Sequence, residues 1–229
     1  MTTGGVSLIV PVRNEAATLA STLAGFRSVM DGADELIVVD GGSRDDSVAI
    51  ARQWADRTLT VAPGRARQMN AGAAQATGAW LWFVHADTGL ERKHRECFSH
   101  LDPQVVWGRF DVRLSGQRPL FRLISGMMNW RSRLTGIATG DQGIFVRRAL
   151  FMELGGYPDQ LLMEDIALSG LLRQHRRPAC LRPPLLTSSR RWENRGAWRT
   201  IWHMWSLRYR YWRGASPQTL YREYYDHSE

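Results

Sequence analysis

The fold of this chain is decided by the stretch Trp80-Leu81-Trp82-Phe83-Val84-His85-Ala86-Asp87. Its five large apolar side chains must be buried, so the acidic Asp87 emerges where a core opens. Working outward, a strand is expected from Ala79 to Val84, with others at Val6 to Val12, Glu35 to Asp40 and Thr58 to Val61. Between them Ala16 to Met30, Asp45 to Ala55 and Arg65 to Ala76 carry apolar residues at helical spacing, with Thr18 and Ser43 as early-turn or cap residues. Strands alternating with helices predict an α/β fold with a parallel sheet wrapped by helices.

In such sheets ligands bind beyond the carboxyl ends of the strands. The first strand ends in Pro11-Val12-Arg13-Asn14-Glu15, the second in Asp40-Gly41-Gly42-Ser43 and the fourth in His85-Ala86-Asp87-Thr88. Asp40 could accept a hydrogen bond from a base or ribose, although the Gly-Gly-Ser that follows equally suits a turn or helix-cap aspartate. Asp87 suits a hard cation, Mg2+ or Mn2+, which takes one or two carboxylates and completes its shell with phosphates and water. His85, two residues earlier, points to the same side; the plainer alternative is an Asp-Thr turn. Gly64 to Gly72 contains Arg65, Arg67 and Asn70 and opens a helix, a place for an anionic phosphate or equally a solvated basic turn, and it lacks the Lys-Ser/Thr of a P-loop. Glu164-Asp165 begins a helix expected over Met163 to Gln174, where acidic residues often only complement the helix dipole.

The 229 residues, 44% hydrophobic and 23% charged, fit one globular domain. Thirty basic residues, of which only Lys93 is lysine, outweigh 22 acidic ones and give a net charge of +8. An anionic partner is therefore expected, and arginine grips phosphate in bidentate fashion. Cys97 and Cys180 are too few for a disulfide framework and have no metal-ligand spacing. No long apolar run or basic-then-apolar leader is present, so a cytoplasmic protein is expected. The second half predicts a strand at Val105 to Leu114, a helix near Leu120 to Leu134, a polar loop at Thr139 to Gln142 and a strand at Gly143 to Val146. Pro178, Pro183 and Pro184 are expected to interrupt regular structure, and a last helix from Gly196 to about Arg213 to end before Pro217.

In their order and separations, Pro11 to Glu15, Asp40, His85-Ala86-Asp87 and Glu164-Asp165 resemble glycosyltransferase family 2 of the GT-A fold. HADT, GDQGIFVRR and SSRRW are similar to a small bacterial subgroup linked to arsenosugar biosynthesis or found beside radical-SAM proteins. The resemblance implies a Rossmann-like, mostly parallel sheet with an acceptor-side extension and a C-terminal amphipathic helix. Residues from 1 to about 100 would form the nucleotide-sugar half, those to about 190 the acceptor half, and the rest an Arg/Trp-rich helical segment. It further implies that Pro11, Arg13, Glu15 and Asp40 line the nucleoside site, with Arg65, Arg67, Asn70 and Ala86 also on the donor side. Asp87 matches the last acidic residue of the family's metal motif, with His85 in place of the first aspartate as a second candidate ligand for Mn2+ or Mg2+. Asp165 matches the catalytic base. Gly140, Asp141, Gln142, Glu164, Arg190, Arg191 and Trp192 would face the acceptor. Position 188 is serine, not the glutamine of the family's QxxRW motif, which argues against a processive polymer synthase. The expected reaction is inverting transfer from a nucleoside-diphosphate sugar, UDP-sugar foremost, to a small-molecule or lipid acceptor.

Trp198, Ile201, Trp202, Trp205, Tyr209 and Trp212 recur at steps of three and four, with Arg199, His203, Ser206, Arg210 and Arg213 mainly opposite. This stripe could pack on the domain or a second copy, or lie on an anionic membrane at its inner face. Rival functions are a basic membrane- or nucleic-acid-binding protein, a sugar-nucleotide hydrolase or a nucleotidyltransferase. Acidic residues converging on one site would disfavour nucleic acid, which is not expected as a partner.

Overall fold

The computed structural model describes residues 4–189, 193 and 196–226. Strands β1 (Val6–Val12), β2 (Glu35–Asp40), β3 (Arg57–Thr60) and β4 (Trp80–Phe83) are joined by helices α1 (Ala16–Val29), α2 (Ser47–Trp54) and α3 (Arg65–Gln75). The four strands run parallel in the order β3-β2-β1-β4. Alternation along β1 explains the layering: Leu8, Val10 and Val12 join the core that holds Leu19, Leu23 and Phe26 of α1, while Ile9 joins Met69 and Ala73 of α3 on the other face. β4 does the same, Trp80 and Trp82 facing one way and Leu81 and Phe83 the other. The direction of strand order changes between β1 and β4, so their carboxyl ends flank the crevice where such sheets bind ligands.

Beyond β4 follow β5 (Thr88–Gly89), α4 (Arg92–Ser99), β6 (Trp107–Leu114), α5 (Pro119–Thr135), a 3-10 turn at Gly140–Gln142, β7 (Phe145–Arg147) and α6 (Arg148–Glu153). α7 (Glu164–His175), β8 (Ala179–Thr187), α8 (Ala197–Trp212) and α9 (Pro217–Asp226) complete the described elements. The sheet continues β4-β7-β6-β8-β5, with β7 antiparallel to both neighbours and β8 parallel to β6. The α/β reading holds, with a parallel first half and a mixed second half.

Several local expectations are corrected. Pro183 and Pro184 do not end regular structure: β8 runs through them because they sit where its register against β6 shifts, between the pairs Phe110–Leu181 and Val112–Leu185. A bulge needs no ladder N–H from them. Pro217 does not follow the last helix but starts α9, a position that tolerates proline's missing N–H. Helices α4 and α6 have no counterpart in the sequence expectations. Ser43 is not a cap; its Oγ accepts the Asn14 N–H at 2.9 Å, and Glu15 and Asp46 stand at the N-caps of α1 and α2.

Four aromatic side chains of the stripe on α8 do not turn inward, whereas Ile201 packs toward Leu114, Phe121 and Ile124. Met204, Leu207 and Tyr211 pack with Leu220 and Tyr224 of α9 and with Met163 and Ile166 at the start of α7. Trp202, Trp205, Tyr209 and Trp212 are left 59–80% exposed. Helix α5 is fastened to β6 by Asn129, whose side chain exchanges two hydrogen bonds with the backbone of Val112 and whose carbonyl accepts one at 3.0 Å from the fully buried Arg109. α5 and α8 thus stand as two walls beside the carboxyl edge of the sheet.

Candidate active site

Two cavities meet at that edge. The first, about 430 Å³, is a cleft lined by Pro11 to Glu15 from the end of β1, Gly64, Arg65 and Gln68 from α3, and His85 to Asp87 from the end of β4. Leu161, Leu162 and Glu164 close one side and Tyr221 and Tyr224 of α9 another. The second, about 550 Å³, lies between α5 and α8 and is mostly apolar: Leu114, Ile124, Met127, Met128, Ile201 and Met204 form much of its wall. Arg65, His85 and Asp87 line both cavities, so the two open onto one another at these residues.

The sequence candidates divide accordingly. Pro11, Arg13, Glu15, Arg65, Ala86, Asp87 and Glu164 come together around the cleft. Asp40 does not: it is buried, and its carboxylate accepts the N–H groups of Gly42 at 2.9 Å and Ser43 at 3.1 Å, the turn role weighed as its alternative. Arg67 points away and pairs with Asp159 at 3.0 Å on the surface. Asn70 is a staple, donating to the Tyr157 carbonyl and accepting the Tyr157 N–H, both at 2.8 Å. On the acceptor side Asp141 lines the apolar cavity, whereas Gln142 is fully buried and caps the 3-10 turn. Arg190, Arg191 and Trp192 lie outside the described residues.

Asp165 sits behind the junction. Its Oδ2 accepts the Gly140 N–H at 2.8 Å and its Oδ1 the Ile166 N–H at 2.7 Å. Gly140 is held so close to His85 that a Cβ there would lie 2.4 Å from the imidazole Nε2. Burial, aided by the positive charge of Arg65, pushes the His85 pKa down against the pull of Asp141, Asp87 and Asp165. The imidazole is therefore held toward its neutral form, the form that ligates metals. Glu164 is pushed up to about 7, first by burial and then by the charge of Asp165, with Arg65 opposing. Burial and both of these carboxylates drive the Tyr157 phenol well above its ordinary value.

Strain concentrates here as well. Among the described residues the two non-glycine positions with positive φ are Asn14 at 55° and Met163 at 65°. Asn14 lines the cleft, and its side chain accepts the Arg44 N–H at 2.8 Å. Met163 immediately precedes Glu164-Asp165 and turns the chain into α7. Conformations of this kind persist where surrounding structure over-determines them, and they gather at functional sites.

Sequence reasoning missed Gln68, Arg131, Arg208 and the two α9 tyrosines. Gln68 is buried and donates through Nε2 to the carbonyls of Val12 at 2.9 Å and Val39 at 2.8 Å, tying together the ends of β1 and β2 beneath the cleft. Its signal was legible: a glutamine on the helix face otherwise made by Ala66, Met69 and Ala73. Nothing local distinguishes Arg131 or Arg208 from the other arginines.

As a cation site, the described residues contain no cluster of three or more His, Cys, Asp and Glu side chains. The donor set nevertheless fits a hard cation: Asp87 presents its carboxylate at the junction of both cavities, and a neutral His85 stands next to it. One or two protein ligands, with the shell completed by phosphate and water, is the ordinary arrangement for Mg2+.

The sequence profile of the family described as "Glycosyl transferase family 2" matches residues 7–154. The chain belongs to glycosyl transferase family 2. Among its relatives, a PGL/p-HBAD biosynthesis glycosyltransferase of Mycobacterium bovis (strain BCG / Pasteur 1173P2) is 31% identical over 164 residues, 66% of this chain and 62% of its own. A glucosyl-3-phosphoglycerate synthase of Mycobacterium tuberculosis is 30% identical over 92 residues, 36% of this chain and 28% of its own. This family 2 chain therefore spans about three-fifths of the length of the first of these relatives. Its fold is shared with the mannosyltransferase PcManGT from Pyrobaculum calidifontis, solved with GDP-Man and Mn2+. The TM-score is 0.62 at 22% identity, over 90% of this chain and 60% of that one. S. aureus TarS 1-349 in complex with UDP superposes with a TM-score of 0.66 at 18% identity, over 80% and 60% of the two chains. These likenesses show the GT-A architecture expected from the sequence.

Proposed function

We propose that this family 2 chain transfers a glycosyl group, with inversion, from a nucleoside-diphosphate sugar to the hydroxyl of a separate acceptor. The observation that carries this reading is the junction: a polar cleft and an apolar cavity open onto each other at Arg65, His85 and Asp87, with Asp165 directly behind. The cleft takes the donor, Pro11, Arg13 and Glu15 lining the nucleoside end and Arg65 facing the diphosphate. UDP is the foremost candidate nucleotide, in line with the UDP and GDP-Man complexes of the structural neighbours. Asp87, with His85 beside it, would hold a Mn2+ or Mg2+ ion, which when bound neutralises charge on the departing diphosphate. Asp165 would take the acceptor proton, and two backbone N–H groups fix its orientation.

Replacing Asp165 tests the assignment. Asp165→Asn should lower kcat by about 10²- to 10⁴-fold, the usual contribution of a general base, while calorimetric UDP binding stays unchanged. Near-full transfer by the variant would remove Asp165 from this role. Hydrolysis is the second reading, and the mostly apolar lining of the second cavity speaks for an organic acceptor over water. Product analysis showing free sugar in place of a glycoside would reverse that preference.

The nucleic-acid reading loses ground because Glu15, Asp87 and Glu164 line one cleft, although Asp40 stands apart. No helix among the described residues is long and apolar enough to cross a membrane. The exposed Trp202, Trp205, Tyr209 and Trp212 support peripheral contact with an anionic membrane, and the similarity of HADT and SSRRW to the arsenosugar-linked subgroup remains a reading of the acceptor class.

A further inference from the structure

The apolar cavity carries an unbalanced charge. Arg131 of α5 and Arg208 of α8 lie on its wall from opposite helices, among Met127, Met128, Ile201 and Met204. Neither guanidinium makes a hydrogen bond or salt bridge to a described residue, and the Nε and Nη2 of Arg131 and the Nε of Arg208 are buried without an acceptor. Other arginines of this chain are treated differently: Arg95, more deeply buried than either, has both a bidentate partner in Asp34 and a second carboxylate in Asp31. Burial pushes the Arg131 pKa down to about 10, helped by the like charge of Arg208, and lowers that of Arg208 too. The carboxylates that act on them, Asp165 on both and Asp141 on Arg208, do so from beyond hydrogen-bond reach. Two largely desolvated cations facing one apolar cavity are costly unless an anion joins them.

We propose that the acceptor is an anionic amphiphile: an apolar body filling the space between α5 and α8, with one carboxylate or phosphate monoester held by Arg131 and Arg208. This deepens the proposed transferase reading and rests on it. The two arginines line the acceptor cavity and not the donor cleft, so the anion they hold is not the donor diphosphate, which faces Arg65. An apolar wall alone would accept a neutral alcohol equally well; the arginines supply the discrimination. The transferred group goes to a hydroxyl elsewhere on the acceptor, at the end that reaches Asp87 and Asp165.

Calorimetry on the whole chain decides this with three probes, dodecanoate, dodecyl phosphate and dodecanol, each below its micellar concentration, together with UDP. Both anions should bind about ten- to a hundredfold more tightly than the alcohol, the range expected of hydrogen bonds to charged groups. Comparison of the two anions distinguishes carboxylate from phosphate as the natural headgroup. In Arg131→Gln/Arg208→Gln the preference should vanish while UDP binding is kept, which also shows that the variant folds. Equal binding of alcohol and anions by the unaltered chain, or a preference surviving in the double variant, overturns the proposal. So does binding to phosphatidylglycerol vesicles with none to the monomeric anions, since that is surface attraction. Failure of UDP to bind would instead overturn the transferase reading.

Discussion

Glu164→Gln converts an electrostatic feature of the site into a measurable stability. Glu164 is 6% exposed at the first turn of α7, next to Asp165. Its carboxyl titrates at about 7 in the folded protein against an ordinary 4.5, because burial and the Asp165 charge outweigh Arg65. A raised carboxyl pKa means that the folded state favours the protonated form. The stability it confers is complete below pH 4.5 and is lost as pH rises through about 7. The interval corresponds to about 3 kcal/mol at 1.36 kcal/mol for each pH unit. Glutamine mimics the protonated acid and has nothing to lose. The stability of the variant relative to the parent should therefore rise by about 2 kcal/mol between pH 5 and pH 8, the remainder having been lost already at pH 5. Urea unfolding of both proteins at several pH values measures this, and comparing the pair cancels independent groups that titrate elsewhere. Parallel stability curves would refute the reasoning, as would a gap that narrows with rising pH.

Two other perturbations probe the frame around the site. Gly140→Ala places a Cβ 2.4 Å from His85 Nε2 and disturbs the loop that donates to Asp165. Transfer should fall by about 10²-fold from misplacement on the ångström scale, with the thermal midpoint moving only slightly; full activity would show that this close approach is unimportant. The Asp34 side chain is 1% exposed and holds Arg95 of α4 at 2.5 and 2.9 Å while also accepting the Val6 N–H at 2.9 Å. Asp34→Ala leaves that buried guanidinium only the longer contact to Asp31 at 3.3 Å and should cost about 3 kcal/mol in urea unfolding, whereas a loss near that of an ordinary surface substitution would mean that Asp31 takes over the pairing.

Much of the frame was legible because it depends on local periodicity. β1 and β2 coincide with the expected Val6 to Val12 and Glu35 to Asp40, and α3 begins at the expected Arg65. The acidic strand end at Asp87 was legible for the same reason: five buried apolar residues leave a carboxylate nowhere to go but the edge. Asp40 followed the same logic and came out otherwise, since the Gly-Gly-Ser that lets a ligand approach also lets the carboxylate fold back on its own turn. Arg67 and Asn70 stand beside Arg65 in sequence, yet at helical spacing only one face of α3 meets the cleft, and Arg65 and Gln68 occupy it. Prolines locally signal a break, but β8 uses Pro183 and Pro184 where the register slips, a circumstance that depends on the partner strand.

The sequence by itself determined the alternating architecture, the carboxylates at Asp87 and Glu164-Asp165, and the resemblance to a family of glycosyltransferases, because each is written in spacings of a few residues. Only the tertiary structure decided what surrounds them. Arg131 and Arg208 are 77 positions apart and carry no mark that sets them off from the other arginines. Packing of α5 against β6 and of α8 against α7 and α9 brings them to one apolar cavity, where two ordinary cations keep buried nitrogens without an acceptor.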